Sequence, residues 1–113
     1  MIKLEIGPHK QEFTFLVDTG AEKSTIRQIP EGCKVSPEKV QVIGAKGEPF
    51  KVSKIKNVVF ETENKFGMGE LLLVPEAEFN LLGRDLIVEL QLEIKVKNQE
   101  LTVSAYPLTV DDQ

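Results

Sequence analysis

Phe15-Leu16-Val17-Asp18-Thr19-Gly20-Ala21 is the stretch on which the fold turns. Three apolar residues run straight into a carboxylate, and a continuous apolar strand end predicts burial on both faces. Asp-Thr-Gly then reads as a turn. Roughly sixty residues later the chain carries Asn80-Leu81-Leu82-Gly83-Arg84-Asp85-Leu86, and a glycine-bearing hairpin lies between the two stretches. Of the four aspartates, Asp111 and Asp112 sit in the tail. Asp85 opens a helix, where a carboxylate favours the N-terminal dipole. Asp18, at the end of a buried-looking strand, has few structural reasons to be there.

Working outward, the apolar runs are short and β-rich, and turn residues separate them often. Ile2, Leu4 and Ile6 alternate with Lys3 and Glu5, which predicts a half-buried strand. Gly7-Pro8-His9-Lys10 is a turn, and Glu12 to Val17 is the next strand. Ser24 to Arg27 is a further strand, and Pro30 to Gly32 a loop. Lys39 to Ile43 and Phe50 to Ile55 flank Gly44-Ala45-Lys46-Gly47-Glu48-Pro49, a hairpin pattern. Lys56 to Glu61 and Gly69 to Val74 read as strands around the polar stretch Thr62 to Lys65. Leu86, Ile87 and Leu90 follow helical spacing over Arg84 to Leu90. Leu92, Ile94 and Val96 alternate with Glu93, Lys95 and Lys97, turn at Asn98-Gln99-Glu100, and return through Leu101, Val103 and Ala105.

The 113 residues suit one domain, 1–113, with 106–113 expected as a flexible tail. Cys33 is the single cysteine and His9 the single histidine, so neither an internal disulfide nor a four-ligand zinc site is expected. Net charge is -4 and the charges are scattered, which argues against nucleic-acid binding. No apolar run approaches the ~20 residues of a membrane span, and no signal-peptide pattern opens the chain.

With its flanks, the Asp18 stretch resembles the retroviral aspartic proteases (retropepsins), and the likeness runs from about Ile2 to about Val103. Phe-Leu-Val-Asp-Thr-Gly-Ala and Leu-Leu-Gly-Arg-Asp-Leu look closest to the gammaretroviral branch, exogenous or endogenous. The resemblance implies an all-β, closed barrel-like fold with a flap hairpin and one short helix in the C-terminal half, working as a symmetric homodimer. It implies an aspartic endopeptidase with Asp18, Thr19 and Gly20 as the catalytic triplet. Carboxylate-driven peptide hydrolysis needs two carboxyl groups sharing one proton, because like charges ~3 Å apart cannot both ionise. One triplet per chain therefore requires two chains.

By the same resemblance Thr19 bonds across the twofold axis and the Gly20 carbonyl accepts from substrate. Ala21 cannot donate a hydroxyl to the catalytic carboxylate, so activity is expected at mildly acidic to near-neutral pH. Arg84 is expected to fold back on Glu22. Gly44, Ala45, Lys46 and Gly47 form the flap tip, where Lys46 departs from the apolar residue of some relatives. Leu16, Thr25, Ile43, Phe79 and Leu81 line pockets, and Asp85 is structural. Each chain is expected to add its C-terminal hairpin to the dimer interface, since its edges would otherwise be unpaired. The implied substrate is an extended peptide within a viral polyprotein, cut in the virion or cytoplasm, with no cofactor or metal. Met1 is then read as an added start, since such a protease is released by cleavage. A domesticated cellular protease and a non-catalytic dimerisation module of the same fold are the competing readings.

Overall fold

Alternation of apolar and polar side chains builds the first hairpin. Leu4 and Ile6 of β1 (Ile2–Ile6) and Phe13, Phe15 and Val17 of β2 (Gln11–Val17) point inward, while Glu5, Glu12 and Thr14 point out. The strands pair antiparallel from Ile2↔Phe15 to Ile6↔Gln11. Gly7 makes the turn at φ +82, where an added β-carbon would lie 3.2 Å from Cys33 Sγ and from the Glu31 carbonyl oxygen. The structure, a computed structural model, describes residues 1–43, 47–63, 65–97 and 100–105, with only the backbone course given for 94–97 and 100–105.

The remaining elements are β3 (Thr25–Ile26), β4 (Val35–Ile43), β5 (Pro49–Glu61), β6 (Phe66–Leu73), β7 (Asn80–Leu82), α1 (Arg84–Glu89), β8 (Leu92–Lys97) and β9 (Glu100–Ala105). The large sheet runs β1-β2-β7-β3-β6-β5-β4, and β1 also pairs with β5 through Glu5↔Glu61 and Ile6↔Phe60. That last pairing closes six strands into a barrel, and β4 extends from β5 as the outer strand of a hairpin. Closure leaves those six strands without a free edge. Phe15, Phe60, Ile6, Ile26, Ile55, Leu71 and Leu82 are fully buried inside, and Leu86 of α1 and Leu90 at its C-cap plug the same core. The all-β class with one short helix holds as expected.

Four local expectations need correcting. Leu16 was expected to be buried with Phe15 and Val17, but it is 36% exposed, and β2 alternates strictly to its end. Among the described residues nothing covers its outer face. The stretches Phe50–Ile55 and Lys56–Glu61 are one 13-residue strand. A bulge between Ile55 and Val58, with Asn57 at φ 57, bends that strand without ending it. The strand expected over Ser24–Arg27 shrinks to Thr25–Ile26, and Asn80–Leu82 is an additional short strand.

β8 and β9 form a sheet of their own, paired from Leu92↔Ala105 to Lys97↔Glu100. The expected C-terminal hairpin is therefore present. Its turn at Asn98 and Gln99 and the tail 106–113 lie outside the described residues.

Candidate active site

β2 delivers Asp18 to the point where three chain segments meet. β2 and β7 pair in parallel, Phe15↔Asn80 to Val17↔Leu82, and the Asp18 amide continues the ladder by donating to the Leu82 carbonyl at 2.9 Å. The chain then turns. The Ala21 amide donates to the Asp18 carbonyl at 3.1 Å, and the Gly20 amide donates to Asp18 Oδ1 at 3.0 Å. One carboxylate oxygen is thus oriented by its own loop, as in an Asx turn. Asp18 is half-buried, while Thr19 and Gly20 are exposed.

The far side of the loop is laced to the start of α1. The Arg84 amide donates to the Ala21 carbonyl at 2.8 Å, and the Asp85 amide to the Glu22 carbonyl at 3.3 Å. Ser24, fully buried, accepts from the Gly83 amide at 2.8 Å and donates its hydroxyl to Asp85 Oδ1 at 2.7 Å. The same Oδ1 accepts from the Leu86 amide at 2.8 Å, so Asp85 does sit in the first helical turn with a structural task. Satisfying a buried amide and a buried hydroxyl together matters, because leaving either unpaired costs about 1–3 kcal/mol.

The expected Glu22–Arg84 ion pair is absent among the described residues. Both side chains are exposed, and the two segments are tied through backbone instead. The polar lock is Ser24–Asp85, with Ser24 missing from the sequence reading. Its signal was there: at a spacing of two, Ser24 shares the inward side with Ile26, where a hydroxyl needs a partner.

Gly83 explains the glycine in Leu-Leu-Gly-Arg-Asp. A β-carbon there would lie 2.8 Å from the Lys23 backbone carbon and oxygen and 2.9 Å from the Ala21 oxygen. None of these atoms can swing away. Gly83→Ala is expected to destabilise the chain by about 1–3 kcal/mol, read as a lower denaturant midpoint with an unchanged slope. A midpoint equal to the parent's would show that the loop has slack.

The pocket residues fall into two groups. Leu16 pairs with Leu81, and Leu81 with Thr25, so these three form a row across β2, β7 and β3 on the outward face. The Thr25 hydroxyl oxygen in that row is shielded and lacks a hydrogen-bond partner. Ile43 and Phe79 are 74% and 44% exposed, at the tip end of β4 and in the loop before β7. Of the flap tip, Gly44, Ala45 and Lys46 lie outside the described residues. Gly47 adopts φ +79 with open space around it, so its glycine serves conformation. Among the described residues no three His, Cys, Asp or Glu side chains are grouped to hold a metal, and no helix is long and apolar enough to cross a membrane.

A closed barrel that presents Asp-Thr-Gly at a parallel strand junction, braced by Gly-Arg-Asp, is the architecture of one class of hydrolase, and the chain belongs to it: the retroviral aspartyl protease family matches residues 1–95. Among individual proteins, the Gag-Pol polyprotein of feline leukemia virus is 36% identical over 99 residues. The matched stretch is 82% of this chain and 5% of that polyprotein, so the chain spans a small part of its relative's length.

Proposed function

We propose that the chain is an aspartic endopeptidase, one domain over 1–113, that acts as a symmetric homodimer with Asp18 of each copy supplying half of a carboxyl pair. The observation that carries this reading is the placement of Asp18. It stands half-buried beside an outward row of Leu16, Leu81 and Thr25, with one oxygen bonded to the Gly20 amide. Nearby carboxylates are poor substitutes for a second acid, since Asp85 is committed to Ser24 and Leu86 and Glu22 is exposed. The second carboxyl therefore comes from another copy.

In the pair, one group is protonated and its neighbour ionised. The ionised one takes a proton from a water as that water attacks the scissile carbonyl, and the protonated one supports the developing oxyanion. The proton then goes to the leaving amine. Thr19, exposed at the loop tip, reaches the partner's loop. Leu16, Thr25 and Leu81 receive apolar side chains flanking the cut, and the β4–β5 hairpin closes over an extended substrate. Arg84 and Asp85 act structurally. The substrate is a polyprotein of the kind in which the similar feline leukemia virus segment is embedded, and cleavage takes place in the virion or the cytoplasm.

Hydrolysis of a peptide with apolar residues on both sides of the cut tests this. Specific activity is expected to fall on dilution below the dimer dissociation constant and to recover on concentration. A pepstatin-like inhibitor is expected to block it. With Ala21 beside the triplet, the pH–rate profile is expected to peak between mildly acidic and near-neutral pH; an optimum near about pH 2–3 would contradict the role given to Ala21. Hydrolysis by a strictly monomeric species would overturn the dyad.

A further inference from the structure

One peptide group closes the loop that carries Phe79. The Ile26 carbonyl accepts from the Val74 amide at 2.8 Å. The Arg27 amide, the other half of the same peptide bond, donates to Asn80 Oδ1 at 2.8 Å. The end of β3 thus grips residues 75–79 at both ends. Within that loop the Ala77 amide donates to the Val74 carbonyl at 3.2 Å. The other end of the Asn80 amide reaches the opposite neighbour, where Nδ2 donates to the Thr14 carbonyl of β2 at 3.0 Å. Only one orientation of the amide satisfies both partners, since Arg27 offers a donor and Thr14 an acceptor. An ionised aspartate would serve Arg27 but turn an acceptor towards the Thr14 carbonyl, and a leucine of similar size would serve neither.

The Asn80 side chain works where the backbone ladder stops. β7 begins at Asn80, paired with Phe15, and the side chain carries the stitching one residue further along β2, to Thr14. Leu81 does not depend on it, because Leu81 pairs with Leu16 on one side and Thr25 on the other. Phe79 lies outside any strand, 44% exposed and two residues before Leu81. What fixes its backbone is the Asn80 clasp on one side and the Val74 anchor on the other. A large apolar side chain left this open is presented in one place only if the chain beneath it is fixed. Ordering that chain at the moment of binding would weaken the complex.

We propose that Asn80 is a positioning residue of the protease, whose amide holds Phe79 ready against a side chain of the bound peptide. The proposal rests on the protease reading. Asn80 touches no reacting atom. It acts through Phe79, and so sets how tightly a peptide is held while leaving the rate at which the bound peptide is cut unchanged.

The test compares the parent with Asn80→Leu, which keeps the volume, and Asn80→Ala, which removes it. Gln11→Leu is the control, because Gln11 Oε1 accepts from the Glu31 amide at 2.9 Å and so clasps a loop at the far end of β2. Values of kcat and KM are measured separately, at enzyme concentrations where activity no longer depends on dilution. Peptide affinity is measured by anisotropy with Asp18→Asn as the background. Both Asn80 variants are expected to raise KM and the peptide Kd about tenfold, the equivalent of two modest hydrogen bonds, with kcat within about twofold of the parent. In a Phe79→Ala background the same changes are expected to cost less than about twofold, since the residue being positioned is gone. Gln11→Leu is expected to keep the parental KM and Kd. Parental KM in both Asn80 variants, an equal rise in Gln11→Leu, or an undiminished rise without Phe79 would overturn the clasp. Peptides whose binding depends on Asn80 and Phe79 but that the parent never cuts would sink the protease reading and leave the clasp standing.

Discussion

Replacing Asp18 with Asn is expected to slow peptide hydrolysis by about a thousandfold or more while leaving the chain folded, since a positioned acid or base contributes about 10²–10⁴-fold. The fold should survive because both contacts of Asp18 outlast the change. Its amide still meets the Leu82 carbonyl, and the amide oxygen of asparagine can still accept from Gly20. What is lost is the exchangeable proton. Two copies joined by a flexible linker sharpen the experiment, because Asn can be placed in one copy alone. If the carboxyls act as a pair, that single change abolishes activity as completely as the double change. A linked protein working at half the parental rate, with an unaltered melting curve, would mean that each copy cuts by itself.

The second large effect concerns the C-terminal hairpin. Ending the chain after Lys97 removes β9, the only strand partner β8 has among the described residues. A two-stranded sheet is marginal alone and needs a further surface. Among the described residues the buried core runs to Leu92, so the shortened chain is expected still to fold. The proposed dimer, by contrast, should dissociate about a hundredfold more readily, an effect equal to losing a few cross-strand pairs at up to ~1 kcal/mol each. Sedimentation and activity measured over the same concentration series check this. A shortened chain that remains dimeric and fully active would show that the two copies meet elsewhere.

Much of the barrel was legible because its period is simple. Leu4 and Ile6, then Phe13, Phe15 and Val17, announce their faces by alternation. Leu86 and Leu90 announce the helix by theirs. What was illegible depends on neighbours distant in sequence. β7 is three residues long and is a strand because β2 and β3 flank it. β5 continues through Lys56 and Asn57 because a bulge absorbs the surplus residue. At the candidate site Asp18 stood out from the residues themselves, whereas the row partners Leu16, Thr25 and Leu81 were named only through the family resemblance. Of the brace, Asp85 was given a structural place at the helix start, but its partner Ser24 was not named, because charge drew attention to Glu22 and Arg84 while Ser24 is set apart by its burial.

The parallel pairing of β2 with β7 also constrains the order of events during synthesis. Phe15 must find Asn80, and the Asp18 amide must find Leu82, across most of the intervening chain. Contacts so remote in sequence form late and fold slowly. A nascent polypeptide that has released Asp-Thr-Gly from the ribosome still lacks the strand that positions it. On the proposed protease reading, the Asp18 loop is therefore not braced for chemistry until residues near 85 have emerged and docked, and a chain interrupted upstream of Asn80 is expected to be inactive.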